Sequence, residues 1–200
     1  GPFTLRTLIP LFIPVLEALA QAHSSGLVHR DLKPQNLFLV SEDTPQEHLR
    51  ILDFGIALLM SHQAEDPKDI SGTLSYLAPE YLRYKIISPQ IDVYQMGLIF
   101  LELLVGQRVF TYDSFYKVMI DINMGFEIPL SISNPVLRTI LTQSTALDPA
   151  ERYATCHEFA EDLKAFMRND LSQQSAGSAV ISPLDNPSLD NPSFNNPSLD

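Results

Sequence analysis

The sequence predicts a mainly α-helical domain that carries one small β-hairpin near its beginning. Hydrophobic residues make up 45% of the 200 residues, which is enough for a single domain with a sizeable core. Apolar residues recur at helical spacing in most segments before residue 170, and two short apolar runs, NLFLV and LRILD, flank a polar stretch.

The first predicted helix lies between residues 8 and 23. Its apolar side chains recur three or four residues apart, and Gly26 follows as a stop signal. Pro10 and Pro14 fall inside this stretch, and an interior proline costs a helix about 3 kcal/mol. We therefore expect either a kink or a late start of the helix near Pro14.

Helical patterns also dominate after the hairpin. The segment SPQIDVYQMGLIFLELLVG offers Ser88 as an N-cap and Pro89 as the first helical residue, and its nearly all-round apolar character predicts a buried central helix. DSFYKVMIDINMG and NPVLRTILTQS predict two amphipathic helices. TCHEFAEDLKAFM opens with Thr155 and Glu158 at the spacing of a capping box, which predicts one more helix.

The C-terminal segment differs in composition from the rest. The run LDNPSLDNPSFNNPSLD repeats with a period of five residues, and its repeated Asn-Pro pairs disfavour both helix and strand. We therefore predict a folded domain over residues 1–170 and a disordered, low-complexity tail over residues 171–200. The repeats are either a linear interaction motif in several copies or a spacer from tandem duplication, and the composition favours the spacer.

Composition excludes several classes of protein. The chain contains 24 Asp and Glu residues and 13 Lys and Arg residues, so its formal net charge is −11. This acidic composition, together with the absence of a basic run in the sequence, argues against binding to nucleic acid or to anionic membranes. The single cysteine, Cys156, allows no internal disulfide; we expect a buried apolar thiol and a cytoplasmic location. The longest apolar run, MGLIFLELLVG, is too short for a membrane span and contains Glu102.

Five short motifs occur along the chain in a fixed order. They are HRDLKPQN, DFG, GTLSYLAPE, DVYQMG and LDPAERY. Together they resemble the large, C-terminal lobe of eukaryotic-type serine/threonine protein kinases, in the style of bacterial members, over about residues 5–168. A lone DFG would be a weak signal, whereas five motifs in one order are specific.

This resemblance implies a phosphate-transfer site that uses ATP and Mg²⁺ on a protein substrate. Asp31 matches the carboxylate that accepts the proton of the attacking hydroxyl, and Lys33 matches the lysine near the γ-phosphate. Asn36 and Asp53 match the two magnesium ligands. Phe38 stands where an aliphatic residue usually lies beneath the adenine ring.

The resemblance also assigns supporting roles to four residues. Thr73 matches the threonine that bonds the catalytic aspartate and lysine of serine/threonine kinases. Asp92 matches the central-helix aspartate that holds the backbone of the catalytic loop. Arg152 matches the arginine that pairs with the glutamate of the APE motif, here Glu80.

The features of the small N-terminal kinase lobe do not occur in these 200 residues. The sequence contains no Gly-x-Gly, and no lysine precedes Lys33. We therefore expect a C-terminal lobe only, which by itself transfers little or no phosphate, because half of the ATP pocket is missing. The chain is then a piece of a kinase, a truncated lobe that acts as a binding module, or the remnant of a decayed kinase gene.

A regulatory hypothesis concerns Arg30, next to the catalytic aspartate. Many kinases need a phosphate on the activation segment to pair with this arginine. Here Asp69 lies three residues before Gly72, and Ser71 is the nearest hydroxyl. We expect Asp69 to stand in for the phosphate; the alternative is that the acidic residues of this loop are simply solvated.

Overall fold

The computed structural model of the protein describes residues 3–40, 47–52, 74–110 and 115–178. It contains six α-helices and one two-stranded sheet within those ranges: α1 Leu5–Ser24, β1 Leu37–Val40, β2 His48–Ile51, α2 Pro79–Tyr84, α3 Pro89–Val105, α4 Phe115–Met124, α5 Pro135–Ser144 and α6 Cys156–Ser178. Short 3-10 turns occupy Pro34–Asn36 and Pro149–Glu151. The predicted mainly helical domain with one hairpin is confirmed.

Helix α1 begins earlier than the prolines suggested. The hydroxyl of Thr4 caps it by accepting a hydrogen bond from the Thr7 amide at 3.3 Å, and the helix then runs unbroken through Pro10 and Pro14. The expected late start near Pro14 is therefore wrong.

The physical reason lies in the two faces of α1. Both prolines lie on the exposed face, where water can reach the carbonyls that lose their helical partners. The opposite face buries large apolar side chains, each contributing about 1.5–3 kcal/mol, and these together outweigh two proline penalties of about 3 kcal/mol each. The fully buried residues of that face include Leu8, Phe12, Leu16 and Leu19.

The hairpin forms where the two apolar runs predicted it. Strands β1 and β2 are antiparallel, with Leu37 opposite Ile51 and Val40 opposite His48. The hairpin directly follows the loop that connects it to α1, so it anchors the end of that loop.

Helix α3 is the central helix of the domain, as its apolar sequence predicted. Every residue from Ile91 to Glu102 is buried, and Gly106, with φ of 75°, ends the helix in the left-handed conformation that glycine adopts most easily. Ser88 occupies the N-cap position but makes no capping hydrogen bond. Gly97 allows α5 to pack closely, since a Cβ at this position would lie 2.5 Å from the Ser144 hydroxyl oxygen.

Helices α1, α5 and α6 pack around α3 and complete the core. On the surface between α1 and α6, Lys164 and His157 both contact Glu17, at 2.6 and 2.8 Å. Their hydrogen bonds, that of Lys164 first, lower the pKa of the Glu17 carboxyl below its ordinary value of 4.5.

Helix α6 runs further than the predicted domain boundary. It ends at Ser178, eight residues into the segment assigned to the tail, and the sequence from 171 to 178 contains no proline to stop it. The Asn-Pro repeats lie outside the described residues, so their predicted disorder stays a prediction.

Helix α1 is also long and apolar enough to cross a membrane, judged by length and composition among the described residues. Core helices commonly meet the same two criteria, and α1 buries one face against α3 and α6. A single helix of this kind is therefore weak support for a membrane span.

Candidate active site

Three of the predicted site residues lie together in the irregular loop between α1 and β1. The ammonium of Lys33 is 3.1 Å from a carboxylate oxygen of Asp31. The side-chain nitrogen Nδ2 of Asn36 donates to the backbone carbonyl of Asp31 at 2.8 Å and lies 3.4 Å from the Asp31 carboxylate. The loop thus gathers a carboxylate, a cation and a carboxamide that is itself nearly buried.

Asp92, in the first turn of α3, holds the start of this loop. One of its carboxylate oxygens accepts the His29 amide and the other accepts the Arg30 amide, both at 2.8 Å. The Nε2 atom of His23, near the end of α1, lies 2.7 Å from the same carboxylate. This fully buried aspartate therefore ties together α1, α3 and the loop.

Arg30 has an unusual backbone conformation. Its φ of 69° is in the left-handed region, which costs a residue with a side chain about 1–2 kcal/mol. The cost is offset because both of its backbone polar groups are bonded: the amide to Asp92, and the carbonyl to Gln95 at 3.0 Å.

Gln95 is the site residue that the sequence reasoning missed. Its side-chain oxygen accepts the Leu32 amide at 3.1 Å, and its side-chain nitrogen donates to the carbonyls of Arg30 and Tyr76 at 3.0 and 3.1 Å. A signal was available, since a glutamine within a helix that is apolar on all sides must find buried partners.

The second strand of the hairpin reaches the loop from the other side. The Leu52 amide donates to the Asn36 carbonyl at 2.8 Å, and the His29 ring nitrogen Nε2 is 3.3 Å from the Leu52 carbonyl. Leu52, which directly precedes the DFG motif in the sequence, therefore lies beside the Asp31 loop. Asp53 itself, with Thr73, Asp69 and Ser71, lies outside the described residues.

Glu80 and Arg152, which the resemblance pairs, do lie in contact. The guanidinium donates to both carboxylate oxygens of Glu80 at 2.8 Å, and each residue is only 4% exposed. It also donates to the carbonyls of Ala146, Gln90 and Leu147 at 2.7, 3.0 and 3.2 Å. The pair therefore fixes the start of α2 to the segment that precedes α6.

The guanidinium of Arg152 also lies over the Tyr94 ring, 4.7 Å from its centroid. This cation–π contact adds α3 to the elements that Arg152 connects.

Tyr76 anchors the segment that leads into α2. Its hydroxyl donates to a carboxylate oxygen of Glu102, whose other oxygen accepts the Val109 amide at 2.9 Å. Burial, followed by the hydrogen bond to Glu102, raises the pKa of the Tyr76 hydroxyl well above its ordinary value. The hydroxyl therefore stays protonated and serves as a structural donor.

Two further residues singled out from the sequence lie in contrasting environments. Phe38, on β1, is 55% exposed, so its ring is available on the face of the hairpin. Cys156, at the start of α6, is fully buried as predicted, and burial raises the pKa of its thiol.

Comparison with known proteins identifies the family to which this chain belongs. Residues 1–175 match the protein kinase domain family. The chain is 33% identical over 171 residues to the serine/threonine-protein kinase PknL of Mycobacterium tuberculosis, covering 82% of this chain and 42% of that protein. It is 33% identical over 165 residues to the probable serine/threonine-protein kinase PknB of Lactococcus lactis, covering 78% of this chain and 25% of that protein.

A third relative is the serine/threonine-protein kinase pkn3 of Myxococcus xanthus, with 28% identity over 199 residues, 87% of this chain and 35% of that protein. The chain belongs to the protein kinase domain family, and the relatives it matches are bacterial serine/threonine-protein kinases. It spans less than half the length of each of these relatives.

Proposed function

We propose that this chain carries the phosphate-transfer site of a serine/threonine protein kinase that uses ATP as donor and a protein hydroxyl as acceptor. The observation that supports this most is the grouping of Asp31, Lys33 and Asn36 in one loop whose backbone is bonded to the buried helix α3. Phosphoryl transfer depends mainly on positioning and on charge stabilisation, and this arrangement provides both.

The chemistry assigns one task to each charged residue. The Asp31 carboxylate accepts the proton of the serine or threonine hydroxyl as the oxygen attacks the γ-phosphorus of ATP, and ADP leaves. The ammonium of Lys33, 3.1 Å from that carboxylate, balances the negative charge of the transferred phosphoryl group.

Magnesium and ATP fit the donor chemistry of this loop. The side-chain nitrogen of Asn36 already donates a hydrogen bond within the loop. The side-chain oxygen of Asn36 is therefore the atom that can ligate a cation, together with the carboxylate of Asp53. Mg²⁺ favours such oxygen ligands and completes its shell with phosphate oxygens and water. When bound, the ion neutralises charge on the phosphates.

We further propose that residues 1–200 by themselves transfer phosphate only at a trace rate. The reason is that these residues contain neither a Gly-x-Gly sequence nor a lysine before Lys33, the elements with which kinases hold the ATP phosphates. An N-terminal lobe in the parent protein is the segment that would supply those elements.

The alternative is a non-catalytic lobe that binds proteins. Binding of a protein without any ATP-dependent transfer, in every form of the chain, distinguishes this alternative.

The test is transfer of labelled γ-phosphate from magnesium ATP to a generic serine/threonine substrate. We expect turnover of about 1–100 per second for the longest natural chain that contains these residues, and trace transfer for residues 1–200 alone. In the longer chain, Asp53→Asn should raise the magnesium requirement or abolish transfer. No transfer by either chain, although both fold, would refute the proposed function.

A further inference from the structure

Gln95 makes three hydrogen bonds, all of them to backbone groups of other segments. It lies in the middle of α3 and is 1% exposed. Its oxygen accepts the amide of Leu32, and its nitrogen donates to the carbonyls of Arg30 and Tyr76. Two of the three partners flank Asp31, and the third belongs to the segment that leads into α2.

The backbone around Asp31 has no helix or strand to hold it, so side chains perform this task. Asp92 accepts the Arg30 amide, Gln95 bonds the Arg30 carbonyl and the Leu32 amide, and Asn36 donates to the Asp31 carbonyl. Gln95 therefore bonds the peptide groups on both sides of Asp31.

Gln95 also connects this loop to a second functional segment. The Tyr76 carbonyl belongs to the GTLSYLAPE sequence, which continues into Glu80 and the buried pair with Arg152. One side chain thus sets the distance between the Asp31 loop and the segment before α2.

We propose that Gln95 is a positioning residue for phosphate transfer, which acts through the backbone of Asp31 and keeps the loop in register with the segment at Tyr76. It touches no reacting atom. Its catalytic consequence rests on the proposed function, whereas its effect on the loop does not.

The side-chain chemistry explains why a glutamine suits this position. One acceptor and two donor hydrogens match one amide and two carbonyls, so all three buried backbone groups are satisfied. Gln95→Met keeps the volume but leaves three buried polar groups without this partner. Gln95→Asn keeps the amide but shortens its reach by one methylene.

Gln90 provides a matched control on the same helix. Its side chain also donates to a backbone carbonyl, but this is the carbonyl of Ala154, at 3.2 Å, rather than one in the Asp31 loop. Gln90→Met therefore removes a glutamine hydrogen bond from α3 but leaves the three hydrogen bonds of Gln95 in place.

The first measurement is amide hydrogen exchange at Leu32, followed by NMR. We expect Gln95→Met to lose protection at this amide under conditions where the fold persists, and Gln90→Met to keep it. If Gln95→Met does not fold, Gln95→Asn is measured instead, with the same expected loss. Unchanged protection at Leu32 in the folded variant would overturn the inference.

The second measurement is kcat for phosphate transfer in the longest natural chain. We expect Gln95→Met, or Gln95→Asn, to lower kcat on the order of tenfold to a hundredfold, with little change in the KM for ATP. Gln90→Met should leave both constants close to their wild-type values, because its side-chain hydrogen bond goes to Ala154 and not to the Asp31 loop. A merely structural role of Gln95 predicts a wild-type kcat per folded molecule instead, with the loss confined to stability.

The outcomes separate the two proposals. Absence of transfer by the folded wild-type chain would refute the proposed function, and with it the catalytic role of Gln95. Transfer by the wild-type chain with unchanged kcat in the folded Gln95 variant, or an equal loss of kcat in Gln90→Met, would refute the positioning role alone.

Discussion

Glu80 and Arg152 allow a quantitative prediction, because the structure shows that the two partners are not equivalent. Removing Glu80 leaves a buried guanidinium that still donates to three backbone carbonyls. Removing Arg152 leaves a buried carboxylate and also deprives those carbonyls of their donor. Arg152→Ala should therefore destabilise the protein more than Glu80→Ala.

The magnitude follows from general values for buried pairs. Breaking one from a single side costs about 3–5 kcal/mol, which for a chain of this size corresponds to a fall in melting temperature of about 6–20 °C. We expect the cost of Arg152→Ala to lie near the upper end of this energy range, because the variant also loses the contact with the Tyr94 ring. The double variant should cost about 0.5–3 kcal/mol less than the sum of the two.

The assay is urea denaturation followed by circular dichroism, with Glu151→Ala as control. Glu151 is an exposed neighbour of Arg152, so its replacement should change the free energy of unfolding by no more than about 0.5 kcal/mol. Strict additivity in the double variant, or a greater loss for Glu80→Ala than for Arg152→Ala, would contradict this reasoning.

Three further predictions concern other parts of the molecule. Gly97→Ala should lower stability by about 1–3 kcal/mol despite the better helix propensity of alanine, because the new Cβ would meet Ser144; thermal unfolding checks this. Glu17→Gln should cost up to about 1 kcal/mol at pH 7 in low salt. Since hydrogen bonds to Lys164 and His157 lower the pKa of Glu17 in the folded state, that stabilisation is present above the ordinary value of 4.5 and is lost as pH falls through the lowered folded value; urea denaturation should therefore show the difference between variant and wild type shrinking as pH is lowered below 4.5. In a form that transfers phosphate, Asp69→Asn should lose activity while Ser71→Ala keeps most of it; the reverse order would identify Ser71 phosphorylation as the switch.

Local patterns predicted most of the fold, because they are decided by residues close in sequence. Helix α3 begins at Pro89, where a helix start was expected, and the two apolar runs form the hairpin. The start of α1 was misjudged because the burial of one face, a property of the whole domain, outweighs the local cost of Pro10 and Pro14.

The candidate site was predictable only in part. Asp31, Lys33 and Asn36 lie within six residues, so their motif identifies them together. The apolar surroundings of Gln95 indicate a buried side chain that needs partners, but they do not identify those partners, because the bonds go to backbone groups and Leu32 is 63 residues away along the chain. Such a contact depends on how α3 passes beneath the loop, and only the assembled structure shows it.

We propose Asp31 as the carboxylate that accepts the proton in phosphate transfer. The most direct test compares Asp31→Asn with Asp121→Asn, an aspartate on α4 outside the site, in the longest natural chain that contains these residues. Labelled phosphate transfer from magnesium ATP is measured beside the circular dichroism spectrum and the melting temperature. We predict that Asp31→Asn keeps the fold but abolishes transfer while Asp121→Asn retains it; near-normal turnover in Asp31→Asn would contradict the assignment.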